Sequence, residues 1–193
     1  MIADIWFDPA CPYTWITSRW LLEAAQVRPI EIRWHVLSLS VLNEGRDDDP
    51  EGDPEGFLWL PVRVCAAIVR HHGQEALGRF YTEFGHGTSE EDWEGFEAPL
   101  SRAGLPVELA AAAETEEYDD AVRASTAEGI GRIGDHVGTP IIAVGDVAFF
   151  GPVMSQIPKG EDAGRLWDGT LLVASTPGFH ELKGRPHADP QFG

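Results

Sequence analysis

An apolar run, Ile2 to Phe7, ends in Asp8-Pro9, and Cys11-Pro12 follows at once. No other stretch restricts the fold so much. The run reads as a buried strand. Pro12 suits the first position of a helix, because its missing N–H would be an orphan there. Trp15, Ile16, Trp20 and Leu21 or Leu22 then share an apolar side, which predicts a helix to about Gln26. Val27-Arg28-Pro29 stops it. Ile30 to Val36 alternates apolar and charged residues, the period of a strand. If the two strands are parallel, their crossover is right-handed.

The same stretch carries chemistry. Cys11 falls at the helix start, where free backbone N–H groups and the helix dipole favour a thiolate. A thiol so placed falls to a pKa of about 3.5–7.5. The bland alternative is a small buried hydrophobe, and the helix position favours the reactive reading.

After Val36 the pattern changes. Asn43 to Gly56 is polar and turn-rich, with Asp47-Asp48-Asp49 read as a solvated turn. From Phe57 to about Gly134 the pattern is helical: Val62 to Val69, Ala76 to Phe84, Trp93 to Ala103, Pro106 to Ala113 and Tyr118 to Ile130. Breaks are predicted near Gly73, Gly85-His86-Gly87, Gly104 and Gly129. Pro140 to Val144 and Val147 to Phe150, split by Gly145-Asp146, predict a hairpin. Asp162 to about Ala174, with Ala163, Leu166, Trp167 and Leu171, predicts a last amphipathic helix. The expected fold is α/β. Residues 1–43 and 135–185 form one sheet-bearing domain, 44–134 form an all-helical insertion, and 186–193 form a loosely held tail.

Charge narrows the partners. The formal charge is −18, with 32 acidic residues against 14 Lys and Arg, so phosphate backbones and anionic membrane surfaces are repelled. Two cysteines, Cys11 and Cys65, are too few for a disulfide framework. Met1-Ile2-Ala3-Asp4 has no basic segment of a secretory signal, and no apolar stretch reaches the length of a membrane span. The reading is a soluble, cytoplasmic protein in a reducing compartment. Association as a homodimer is left open.

With Cys11-Pro12-Tyr13-Thr14 after strand one and Gly138-Thr139-Pro140 before strand three, the chain resembles the thioredoxin superfamily. The helical insertion makes it similar to the DsbA-like branch. Asp4-Ile5-Trp6-Phe7-Asp8-Pro9, Trp15-Ile16-Thr17-Ser18-Arg19-Trp20, Ser38-Leu39-Ser40-Val41-Leu42-Asn43-Glu44 and Val147-Ala148-Phe149-Phe150-Gly151-Pro152-Val153 are similar to actinobacterial mycothiol-dependent nitroreductases. This likeness covers residues 2–46 and 118–182. It implies a thioredoxin-like fold and Cys11 as the nucleophile. It also implies a cis Pro140 against the thiol, and a Thr139 backbone that pairs with an extended substrate. The implied cofactor is a low-molecular-weight thiol, mycothiol or glutathione, and the implied acceptor is a disulfide, an electrophile or a nitroaromatic.

Thr14 departs from the dithiol pattern, since it stands where the resolving cysteine would be. A Thr cannot attack a mixed disulfide, so a second thiol from solution must resolve it. Its hydroxyl is able to donate to the Cys11 thiolate, or to bond a helix carbonyl instead. Three functions stay open. The first is a thiol-dependent oxidoreductase. The second is a thiol-binding transferase or isomerase similar to kappa-class glutathione transferases and 2-hydroxychromene-2-carboxylate isomerases. The third is a non-catalytic binding module. The catalytic candidates are Cys11, Pro12 and Thr14, and the substrate- or thiol-binding candidates are Tyr13, Arg19, Thr139 and Pro140. Arg19 offers a fork for an anionic group, or else a surface ion pair. Cys65 lies in an apolar helical run and reads as core. Trp6, Trp15, Trp20 and Trp34 read as core around the first helix, with one or two walling a pocket. His71-His72 point about 100° apart on a helix, and no metal is expected. His136 reads as a surface loop residue.

Overall fold

The structure, a computed structural model, describes residues 1–46, 50–85 and 95–192. β1 (Ile2–Phe7) and β2 (Glu31–Val36) pair in parallel, with α1 (Pro12–Val27) between them in the chain. β3 (Ile141–Val144) runs antiparallel to β1, and β4 (Val147–Phe150) antiparallel to β3. The sheet order is β2-β1-β3-β4, so the strand that leads to Cys11 is central.

Among the described residues, only helices lie between β2 and β3. They are α2 (Leu39–Leu42), α3 (Trp59–Phe84), α4 (Glu97–Arg102) and α5 (Asp119–Ile133), with 3-10 turns at Val107–Glu114 and Glu116–Tyr118. α6 (Gly160–Ala174) follows the sheet and packs on α1. Arg28 ties the end of α1 to α6 by forking to Glu161 and Asp168 at 2.7 and 2.8 Å. No helix of the described residues is long and apolar enough to cross a membrane.

Alternation along β1 divides the two faces of the sheet. Ile5 and Phe7 join one buried cluster with Trp15 and Trp20 of α1, Val62 and Phe80 of α3, and Trp167 of α6. Trp6 faces the other way, with Leu37, Ile141 and Ala143, and stacks on His35 at 4.5 Å. Trp6 therefore does not belong to the tryptophan cluster around α1, where the sequence reading puts it. Trp15, Trp20 and Trp34 do.

Several boundaries differ from the sequence reading, each for a local reason. α3 spans both expected helices, with Gly73 at φ +82 as a kink rather than a gap. α5 runs through Gly129 instead of breaking there. A Cβ at Gly129 would sit 2.8 Å from the Trp6 ring, so the glycine serves close packing. α2 has no apolar period to announce it, and is started by Ser38, whose Oγ accepts from the Val41 amide at 3.3 Å. Pro106 to Ala113 winds as a 3-10 helix rather than an α-helix. Leu166, assigned to the apolar side of α6, is exposed. The tail has no regular structure, yet it is held: Gln191 N donates to Ser155 O at 2.7 Å and Gln156 Nε2 to Gln191 Oε1 at 2.9 Å. Asp47-Asp48-Asp49 and the predicted helix start at Trp93 lie outside the described residues.

Candidate active site

Cys11 is the N-cap of α1, and Pro12 opens the helix, as the sequence predicts. The approach to it is fixed by the residues before it. Asp8 is fully buried. Its Oδ1 accepts from Ala10 N at 2.9 Å and its Oδ2 from Leu39 N at 2.8 Å, which ties the β1–α1 loop to the start of α2. Cys11 N donates to Asp8 O at 3.1 Å.

Thr139 is the second anchor, through its side chain. Its Oγ1 accepts from Asp8 N at 3.2 Å and from Thr14 Oγ1 at 3.3 Å, and donates to Trp6 O at 3.2 Å. One buried hydroxyl thus joins the end of β1, the first turn of α1 and the loop before β3. The Thr139–Pro140 peptide bond is cis, as is Gly151–Pro152. Pro140 O accepts from Gly151 N at 2.9 Å, and Pro152 O accepts from Thr17 Oγ1 at 2.8 Å. Both proline loops are therefore bonded into the β1–α1 site.

The acidity of Cys11 differs in sign from the sequence expectation. Burial pushes the thiol above its ordinary value, and the Asp8 carboxyl adds to the rise. Against these, the Thr14 hydroxyl and the Thr14 and Tyr13 N–H groups lie toward the sulfur, favour its charged form and pull the value down. A helix start alone would leave the thiol acidic. Here the desolvation of a half-buried sulfur outweighs it. Asp8 itself is raised from 3.8 to about 6 by burial, although the Leu39 and Ala10 amides oppose the shift. Cys65 is fully buried in the core cluster, and burial drives its thiol far up. Both cysteines are free.

Tyr13 meets the tail. Its hydroxyl donates to Ala188 O at 3.3 Å, and its ring lies 5.3 Å from that of His187. The C-terminal tail therefore lies beside the Cys11 motif, which nothing in the tail's composition indicates.

Arg19 does not form the surface ion pair that is one of its two expected roles. Helical side chains lean toward the N-terminus, and its Cζ lies 4.1 Å over the Trp15 ring. Nε donates to Ser18 Oγ at 3.1 Å and Nη1 to Thr82 Oγ1 at 2.8 Å. Among the described residues no carboxylate bonds it, and its buried Nη2 has no partner. Burial lowers the guanidinium to about 10, so it stays charged at neutral pH. Tyr81 of α3 packs beside it, stacked on Phe7 at 4.0 Å and edge-on to Trp15 at 5.2 Å. The Tyr81 hydroxyl is buried beside Ser18 but outside hydrogen-bond geometry. Burial raises the Tyr81 phenol well above its ordinary value, and the nearby Cys11 adds to the rise.

Sequence reasoning missed Tyr81 and the hub role of Asp8. Tyr81 is one aromatic in a helical run and carries no local signal. Asp8 has one, since a buried acid three residues before a helix-start cysteine is costly unless it is bonded. His136 is exposed, in the loop before Thr139. No group of three or more potential metal-ligating His, Cys, Asp or Glu occurs among the described residues.

Comparison with solved structures defines the class. A 2-hydroxychromene-2-carboxylate isomerase matches with TM-score 0.57 and 16% identity over 89% of this chain and 94% of its own. A probable DsbA oxidoreductase, SCO1869 of Streptomyces coelicolor, matches with TM-score 0.53 and 17% identity over 95% and 100%. The cytosolic disulfide reductase DsbM of Pseudomonas aeruginosa, solved with GSH, gives 0.52 and 17% over 89% and 100%. The fold is thioredoxin-like, of the DsbA kind. The family is narrower. Residues 10–184 match the family described as Rv2466c-like, mycothiol-dependent nitroreductase Rv2466c, and the chain belongs to it. It is thereby an enzyme of a thiol-dependent reductase family. A protein of Mycobacterium tuberculosis, "Uncharacterized protein Rv2286c", is 29% identical over 93% of this chain and 80% of its own.

Proposed function

We propose that the chain is a monothiol oxidoreductase in which Cys11 is the nucleophile and a low-molecular-weight thiol, mycothiol first and glutathione second, completes the cycle. The Cys11 thiolate attacks a disulfide, forms a mixed disulfide and releases one thiolate. A cosubstrate thiolate then attacks the outer sulfur, which frees Cys11 and leaves a new disulfide. With a nitroaromatic acceptor the balance is two thiols for one disulfide, a nitroso group and water. Thr14 stabilises the thiolate, Pro12 starts the helix under it, and Thr139 with Pro140 shapes the docking edge beside Tyr13. The observation that supports this reading is the place of Cys11 as the N-cap of α1, ahead of Pro12, in the first turn that carries the Thr14 hydroxyl. No second cysteine in the motif is able to resolve the adduct.

A second reading has its own support. The raised Cys11 thiol suits a group that holds and orients a bound thiol without attacking, as in a transferase or isomerase. Incubation with the oxidised cosubstrate and mass spectrometry of the intact protein separates them. A single covalent adduct, absent in Cys11→Ser, is the expected result. Bound but unattached thiol, with turnover kept in Cys11→Ser, refutes the oxidoreductase reading.

A further inference from the structure

The chain from residue 185 to residue 192 forms neither helix nor strand, yet it is held. Tyr13 Oη donates to Ala188 O at 3.3 Å, and the His187 ring lies 5.3 Å from the Tyr13 ring. Further on, Gln191 N donates to Ser155 O at 2.7 Å, and Gln191 Oε1 accepts from Gln156 Nε2 at 2.9 Å. Pro186 and Pro190 flank the stretch that meets Tyr13. Each fixes its own φ and biases the residue before it to extended backbone. Less entropy is then lost when the stretch is laid down. Both places of attachment belong to the site. Tyr13 lies in the first turn of α1, just after Cys11 and Pro12. Ser155 and Gln156 lie just past Pro152, whose carbonyl accepts from Thr17 Oγ1 of α1 at 2.8 Å. The stretch therefore crosses the N-terminal end of α1.

We propose that residues 185–192 are an autoinhibitory strap, docked across the Cys11 end of α1 in the resting protein and released when a ligand takes the Tyr13 hydroxyl. The two states exclude each other at one proton. Tyr13 has a single O–H to donate, and Ala188 O holds it. The strap is also built to leave. Residues 185–189 are exposed, Pro190 is half-buried, and no residue of the strap belongs to the buried core. A segment with so few buried contacts opens locally, at far less cost than global unfolding. Release breaks hydrogen bonds only and involves no covalent step. Cys11 itself is half-buried, and the docked strap adds to what a bulky reagent must pass to reach it.

The proposal rests on the reading that a thiol or an acceptor docks beside Tyr13, but its test reads access to Cys11 and not turnover. The full chain and a chain ending at Gly184 are labelled at Cys11 with a polyethylene glycol maleimide, and the thermal midpoint of each checks the fold. Truncation is expected to speed labelling about three- to tenfold, the factor carried by about one net hydrogen bond. In the full chain the Gln191 amide is expected to exchange its hydrogen more slowly by the same factor, because one closing equilibrium governs both. Tyr13→Phe removes the donor to Ala188 and keeps the ring. It is expected to lower the Gln191 protection and to speed labelling together. An unchanged labelling rate on truncation overturns the proposal, as does an unprotected Gln191 amide or a protection that Tyr13→Phe leaves intact. A protein that passes these tests and shows no thiol turnover keeps the strap while the oxidoreductase reading fails.

Discussion

Replacing Thr14 by Val removes one hydroxyl at nearly constant volume and tests what holds the Cys11 thiolate. In the neutral protein the Thr14 hydroxyl donates to Thr139 Oγ1 at 3.3 Å. When Cys11 ionises, the same proton turns to the sulfur. The change exchanges a neutral hydrogen bond of about 0.5–1.5 kcal/mol for a charged one of about 1.5–3 kcal/mol. The net gain is about 1.2 kcal/mol, close to one pKa unit. Thr14→Val therefore raises the Cys11 pKa by about one unit above its already raised value. Below that pKa the thiolate fraction falls about tenfold, while each thiolate gains nucleophilicity with a Brønsted slope of about 0.4–0.5. The net expectation is alkylation about three- to fourfold slower near neutral pH. The assay is the pH profile of Cys11 alkylation by iodoacetamide. Cys65 stays silent, because burial raises its thiol far beyond Cys11. Thr14→Ser keeps the donor and is expected to follow the wild type. An inflection in Thr14→Val at or below that of the wild type would refute the reasoning.

Two further outcomes follow from the same site. Asp8 has its pKa raised from 3.8 to about 6, so folding favours its neutral form. Its contribution to stability is full below the unfolded pKa and is lost as pH rises through the folded one, a loss of about 3 kcal/mol. Urea unfolding across that interval should show this slope in the wild type and its absence in Asp8→Asn. An unchanged slope would show that Asp8 is not the group responsible. Cutting the chain after Gly184 removes the Tyr13–Ala188 and Ser155–Gln191 bonds but no residue of the buried core. Faster Cys11 alkylation with little change in the thermal midpoint is expected, and an unchanged alkylation rate would show that the tail does not cover the thiol.

Much of this site was legible because its local signals agree with each other. The strand before Asp8, Pro12 at the helix start and the period of Trp15, Ile16 and Trp20 all specify the same turn, and α1 forms from Pro12 as expected. The Gly145-Asp146 pair likewise places β3 and β4 correctly. What stayed hidden depends on contacts between distant parts of the chain. Thr139 meets Asp8 across 131 positions, and Tyr13 meets Ala188 across 175. No local pattern encodes such a meeting. The pKa of Cys11 was misjudged for the same reason. Helix position is local, whereas the burial that reverses its effect is assembled from α1, α3 and two loops.

The buried cluster that contains Ile5 of β1 also contains Val62 and Phe80 of α3, Leu100 of α4 and Val122 of α5. Among the described residues one buried cluster runs from the sheet into the helices inserted in it. Sheet and inserted helices should therefore melt as one cooperative unit, with core amides of β1 and α3 exchanging their hydrogens at the free energy of global unfolding. Opening a cleft between the sheet and these helices would break that shared cluster. Access to Cys11 is then a matter for the parts that lie outside that unit, the loop ahead of Pro140 and the length of chain laid against Tyr13.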